Sequence, residues 1–174
     1  MNSFFSPARQ AAPPHATRPS GADETKWVRA AQRGDIHAFN QLILRYQERA
    51  YRVAYHLLQD TVAATNVTQS VVTHAFQALR EMGKESFEIW LLRLLTQHCA
   101  AYLQAHPAPP PRTPLQRGMA NLSLVERITV VLADIENFAP QEIAQIMRTD
   151  AATVRARTNR ARRALRDVLY NVPT

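Results

Sequence analysis

Apolar positions recur at helical spacing through most of the chain. Phe39, Leu42, Ile43, Tyr46, Ala50, Val53, Ala54 and Leu57 return every three or four residues, the period of one face of an α-helix. Asp35 stands just before this run, where its carboxylate can accept the amides that a first turn leaves unpaired. A shorter helix is predicted ahead of it over Glu24 to Arg33, between Asp23 and Gly34. Asp60 can cap a third helix running to about Met82, with Gly83 as its stop. Ser86 can cap a fourth, whose apolar face holds Phe87, Trp90, Leu91, Leu94 and Leu95. β-Branched clusters such as Thr129, Val130 and Val131 lie inside longer helical patterns, so no strand is predicted.

The pattern fails in two places. Residues 1–22 are rich in Pro, Ala and Ser, with Pro13, Pro14 and Pro19 among them, and are predicted to be a disordered leader. Residues 105–121 contain Pro107, Pro109, Pro110, Pro111 and Pro114. Successive prolines lack amide donors and exclude the helical conformation before each ring, so this stretch is predicted to be an extended linker. The expected fold is therefore all-α, with two small helical domains at 23–104 and 122–171.

The second domain opens on Ser123 and Glu126, spaced as a capping box. The helix they start carries Leu124, Ile128, Val131, Leu132 and Ile135. Pro140 can begin the next helix, where its missing donor costs nothing, and Ile143, Ala144 and Met147 form its inward face. Arg148, Thr149 and Asp150 read as a tight turn, and Val154, Thr158, Ala161 and Leu165 as the core stripe of the last helix. A short helix, a tight turn and a second helix make a helix-turn-helix.

Charge turns this layout toward a partner. The formal net charge is +7, which favours an acidic partner, nucleic acid first and an anionic membrane surface second. Between Ala151 and Arg166 there are six arginines and no acid. On a helical wheel Ala152, Ala156, Asn159, Arg160 and Arg163 oppose the core stripe, with Thr153 and Arg155 beside them and Arg157 on one flank. Small residues let the helix backbone approach a groove floor, while arginines bond guanine edges or clamp phosphates. The DNA-contacting set is thus Ala152, Thr153, Arg155, Ala156, Arg157, Asn159, Arg160 and Arg163. The narrow apolar face, poor in large aromatics, argues against a membrane-lying helix.

Other chemistry finds little support. The single cysteine, Cys99, cannot form an internal disulfide, suits a reducing cytoplasm, and reads as a small buried hydrophobe. The six histidines lack zinc spacing and the four glycines form no phosphate loop. No catalytic residue, metal or cofactor is expected. Neither a signal-like apolar core at the N-terminus nor a run of bilayer-spanning length is evident, so no membrane insertion is expected.

Several strings together resemble a known family. Leu122 to Arg127, Glu142–Ile143–Ala144, Thr153 to Arg157 and Arg160 to Arg166 resemble region four of a bacterial sigma factor. Ala31, Gly34–Asp35, Ala38–Phe39, Leu42, Asp60, Ala64, Gln69, Ala75, Phe87 and Trp90–Leu91 resemble region two of the extracytoplasmic-function (ECF) group. The resemblance implies promoter DNA and core RNA polymerase as partners, admits an anti-sigma factor as a third, and implies a non-enzymatic role in transcription initiation. It places Asn66, Gln69, Thr73 and Gln77 on the helix that grips the polymerase clamp. It also makes Arg93 a DNA contact, and leaves Trp90 as a core aromatic rather than a base-stacking platform.

The departures point to a competing function. Thr65 and Asn66 stand where the family usually carries acids, and no formal charge occurs from Val62 to Leu79. Gln97, Ala101 and Gln104 replace family residues expected near the melted strand. These changes favour a degenerate sigma-like DNA-binding regulator or adaptor that does not open promoters. A third option is an interaction protein that sequesters another factor through the uncharged helix.

Overall fold

The computed structural model describes residues 21–106 and 109–170. Every regular element among them is helical: α1 (Gly21–Gln32), α2 (Ile36–Leu58), α3 (Thr61–Ala78), α4 (Phe87–Ala105), α5 (Pro114–Asn121), α6 (Leu124–Val130), α7 (Pro140–Met147) and α8 (Ala151–Tyr170). The leader lies outside the described residues except for Gly21 and Ala22, which open α1. The predicted caps form. The Asp35, Asp60 and Ser86 side chains accept from the amides of Ala38, Ala63 and Ile89, each typically worth about 1 kcal/mol.

Helices α1 to α4 pack around Phe87, which is fully buried. Its ring lies 6.4 Å from Phe39, 5.9 Å from Tyr46 and 5.7 Å from Trp90 between centroids. Trp90 is 6% exposed, a core aromatic with no face free to stack on a base. Glu24 ties three helices together. It accepts from the Tyr46 hydroxyl at 2.5 Å and from the Phe87 amide at 2.9 Å; desolvation and, after it, the bond to Glu24 push the Tyr46 phenol above its ordinary pKa. Cys99 is buried, and desolvation pushes its thiol up to about 12, so it is inert at neutral pH.

The linker is shorter than predicted. Thr113 and Gln116 form a reciprocal capping box that starts α5 on Pro114, and α5 packs along α8. Pro114 occupies the helix start, where it is tolerated, so its presence signalled a beginning rather than a break. Gly118 sits at this contact: a Cβ there would lie 2.8 Å from Leu165 Cδ2 and 3.7 Å from the Val168 side chain, so the end of Leu165 would have to shift. Gly118→Val should wedge α5 from α8 and lower stability by about 1–3 kcal/mol, measured by urea unfolding.

A second departure occurs after α6. Residues Val131–Ile135 form a π turn, which inserts extra chain into the helical repeat. The face that continues inward from Ile128, Val131 and Leu132 therefore does not include Ile135, which is 38% exposed. Glu136 turns inward instead, its side chain 2% exposed. Its carboxylate accepts from Arg52 Nε at 3.0 Å and Nη2 at 2.9 Å, and pairs with Arg49 Nε at 3.2 Å. Arg49 also lies over the Phe138 ring, 5.4 Å from its centroid, and pairs with Glu88. This cluster joins α2 to the π turn. Beside it, Arg127 Nη1 donates to the Leu57 carbonyl at 3.2 Å, and α4 packs on α7. The two helical groups are thus in direct contact.

Candidate nucleic-acid interface

Helix α7 begins on Pro140, with Glu142 reaching back to the Ala139 amide at 2.8 Å. Alanine at that position supplies no side-chain cap, so Glu142 and Pro140 set the helix start between them. The α7 helix ends on Arg148 in the left-handed conformation, φ 50°, and the Arg148 and Thr149 amides both return to the Ala144 carbonyl. Asp150 then caps α8. Its carboxylate accepts from the Thr153 amide at 2.7 Å and hydroxyl at 2.6 Å, and these bonds hold it below the usual carboxylate range. The cap is therefore intact above the ordinary aspartate pKa and is lost as pH falls through the lowered one.

The inward stripe of α8 is Val154, Thr158 and Ala161, at 1%, 6% and 0% exposure, with Leu165 half-buried beside them. The opposite face presents Ala152, Arg155, Ala156, Asn159, Arg160 and Arg163, all exposed. Arg157 and Thr153 are half-buried, and the Thr153 hydroxyl is engaged by Asp150. Arg160 pairs with Glu126 at 3.4 Å, and Arg162 holds Asp134 through Nε at 3.0 Å and Nη2 at 2.5 Å. The Ser123 hydroxyl and, more weakly, Arg160 and Arg157 lower the Glu126 pKa. Arg155 and Arg163 make no hydrogen bond or ion pair among the described residues. A helix presenting two small residues and three guanidiniums outward, braced from behind by α7, has the form that enters a major groove.

Arg93, expected from the resemblance to contact DNA from the first helical group, lies apart from the α8 face and is largely enclosed in this arrangement. Its side chain is 11% exposed. It pairs with Glu85 and donates from Nη2 to the Gln145 carbonyl at 3.1 Å, joining α4 to α7. With both Nη atoms engaged and Nε buried without a partner, this guanidinium bridges two helices in this arrangement.

The uncharged face of α3 is solvent-facing. Asn66, Gln69, Thr73 and Gln77 are all exposed, and Thr73 returns its hydroxyl to the Gln69 carbonyl at 3.1 Å. The sequence reading missed two apolar members of this surface, Val62 at 67% and Phe76 at 45% exposure. It also missed His74 and His98, which meet across α3 and α4 despite a sequence separation of 24. No helix among the described residues is long and apolar enough to cross a membrane.

The family models settle the lineage. The model for sigma-70 region 2 matches residues 42–106, and that for sigma-70, region 4 matches residues 112–165. The chain belongs to the sigma-70 family. Its relatives place it in the ECF group. The ECF RNA polymerase sigma-E factor of Escherichia coli K12 is 29% identical, over 79% of this chain and 90% of its own length. The ECF RNA polymerase sigma factor SigE of Mycolicibacterium smegmatis is 27% identical over 76% of this chain, which spans only 62% of that relative. Among solved structures, CnrH in complex with the cytosolic domain of CnrY aligns with a TM-score of 0.72 at 21% identity, covering 87% of this chain and 99% of CnrH. RpoE of Bartonella quintana, solved with the anti-sigma factor NepR, aligns with a TM-score of 0.67 at 17% identity, covering 79% of this chain and all of that one. The region 4 match starts at Arg112, so the sigma-70 pattern includes α5, which the sequence reading had assigned to the linker.

Proposed function

We propose that this ECF-type sigma factor directs core RNA polymerase to a promoter set, reading the upstream element through α8 and gripping the clamp through α3. The observation that carries the reading is the outward face of α8: Arg155, Asn159, Arg160 and Arg163 exposed beside Ala152 and Ala156, at the end of a helix-turn-helix. Ala152, Ala156 and Asn159 line the approach to the base edges, Thr153 serves the cap, and Arg157 supports the flank. On this reading the chain supplies no catalytic group, the polymerase performs the chemistry, and the protein works in the cytoplasm. An anti-sigma factor fits as a third partner, as NepR does for the Bartonella protein.

The second reading, a DNA-binding regulator that does not open promoters, is favoured by one observation. The α3 surface at Asn66, Gln69, Thr73 and Gln77 is exposed yet carries no acid. In vitro transcription with core enzyme, on promoters selected by binding from a random pool, separates the two. Transcripts dependent on this chain are expected. DNA binding without transcripts selects the regulator, and absence of both overturns the assignment. Thr65→Glu with Asn66→Asp should tighten core binding several-fold in a pull-down if the clamp face is basic, and Gln69→Ala should weaken it.

A further inference from the structure

We propose that His74 and His98 form a two-imidazole site for a late first-row divalent cation, bridging α3 to α4. His74 Nδ1 and His98 Nε2 lie 2.9 Å apart, with ring centroids at 5.2 Å and planes inclined by 41°. Two imidazole nitrogens at about 2.1 Å from one metal, the usual zinc distance, are about 3.0 Å apart when cis at a right angle and about 3.4 Å apart at a tetrahedral angle. The observed separation falls at the first of these.

The helices hold this spacing without help from a metal. Val71 and Ala75 on α3, and Leu95 and Cys99 on α4, are buried around the pair, so the ligand positions are set by core packing. His74 is exposed and His98 half-exposed, which gives a cation access from solvent. No Lys or Arg lies between Val62 and Leu79 or between Leu94 and Ala105 to repel a cation. Neither stretch holds a carboxylate, and the Cys99 thiol is buried in the core. The donor set is therefore two nitrogens completed by water. That set suits zinc, nickel or copper, and does not suit magnesium or calcium, which take oxygen ligands.

The test uses the full chain without a histidine tag, freed of metal by chelator. Zinc chloride is added during thermal unfolding and calorimetric titration, with magnesium chloride as the control. We expect a saturable heat at one site per chain. At a ten- to hundredfold excess over the dissociation constant, the unfolding midpoint should rise by about 3–10 °C. Magnesium should give neither. His74→Gln and His98→Gln should each abolish the zinc shift, while His37→Gln, on α2, should retain it. Substoichiometric copper should broaden the imidazole signals of His74 and His98 before those of other histidines, which tests the wild-type fold directly. A hydrogen-bonded imidazole pair without metal affinity would give no saturable heat and no selective broadening, and a zinc shift surviving both glutamine variants would place the metal elsewhere. Either result overturns the proposal.

Discussion

Replacing Arg155, Arg160 and Arg163 together by alanine should weaken binding of the full chain to its selected promoter duplex by about a hundred- to ten-thousandfold. Each guanidinium that makes a bidentate base contact contributes about 1–3 kcal/mol of discrimination, and every 1.4 kcal/mol is a factor of ten. Arg155 and Arg163 are exposed and make no ion pair among the described residues, so nothing in the protein competes for them. Arg160 must release Glu126, but at 62% side-chain exposure that pair is worth at most about 1 kcal/mol. The single variants should differ in kind. Loss of Arg155 or Arg160 should alter sequence preference. Loss of Arg163 should weaken all duplexes alike and flatten the salt dependence by about 0.9 in the logarithmic slope, as for one phosphate contact. Alanine favours helix and the three positions face solvent, so circular dichroism should be unchanged. Fluorescence anisotropy over a salt series measures all of this. An affinity within threefold of wild type for the triple variant would remove α8 from the DNA interface.

Glu136→Ala should cost about 2–3 kcal/mol of stability in urea unfolding and enlarge the radius of gyration in small-angle scattering. Removing one member of a buried ion pair typically costs about 3–5 kcal/mol, because the partner charge is left uncompensated. Here the loss should fall below that range. Arg49 and Arg52 are 36% and 43% exposed and can turn toward water, whereas the carboxylate they share is 2% exposed. Glu136→Gln keeps the volume and one acceptor, and should lose less. The outward face of α8 is already free in the packed arrangement, so duplex affinity should be the same in all three proteins. Unchanged stability and unchanged dimensions in Glu136→Ala would mean that apolar packing of α4 on α7 holds the two helical groups together without this cluster.

Features encoded within a few residues were legible in the sequence. Asp35, Asp60, Ser86 and Ser123 cap the helices predicted from them, because a cap is a bond from a side chain to an amide two or three residues on and needs no tertiary information. Val154, Thr158 and Ala161 are buried as their spacing requires, since a helix places such positions on one face whatever it packs against. The sigma-70 strings around Glu142, Thr153 and Arg160 were legible for the same reason: a helix-turn-helix is a short, contiguous unit.

What required the tertiary structure involves partners far apart in sequence, or a local choice that packing decides. Pro114 was compatible with a break or with a helix start, and α5 forms on the Thr113–Gln116 capping box and packs against α8. Ile135 was on the apolar face of an ideal helix, but the π turn moved it out and turned Glu136 in, toward Arg52, 84 residues away. Arg93 looked like a surface cation until α7 arrived with the Gln145 carbonyl, 52 residues on. His74 and His98 each sat in an unremarkable run of neutral residues, and only the packing of α3 on α4 brought their rings together. A sequence states which side chains are available and, through helical periodicity, which way each faces along its own axis. Which helix stands opposite is set by the burial of apolar surface summed over the whole chain. For that reason the last helix, its buried stripe and its exposed arginine face could be read from residues alone, while the contact between the two helical groups and the histidine pair could not.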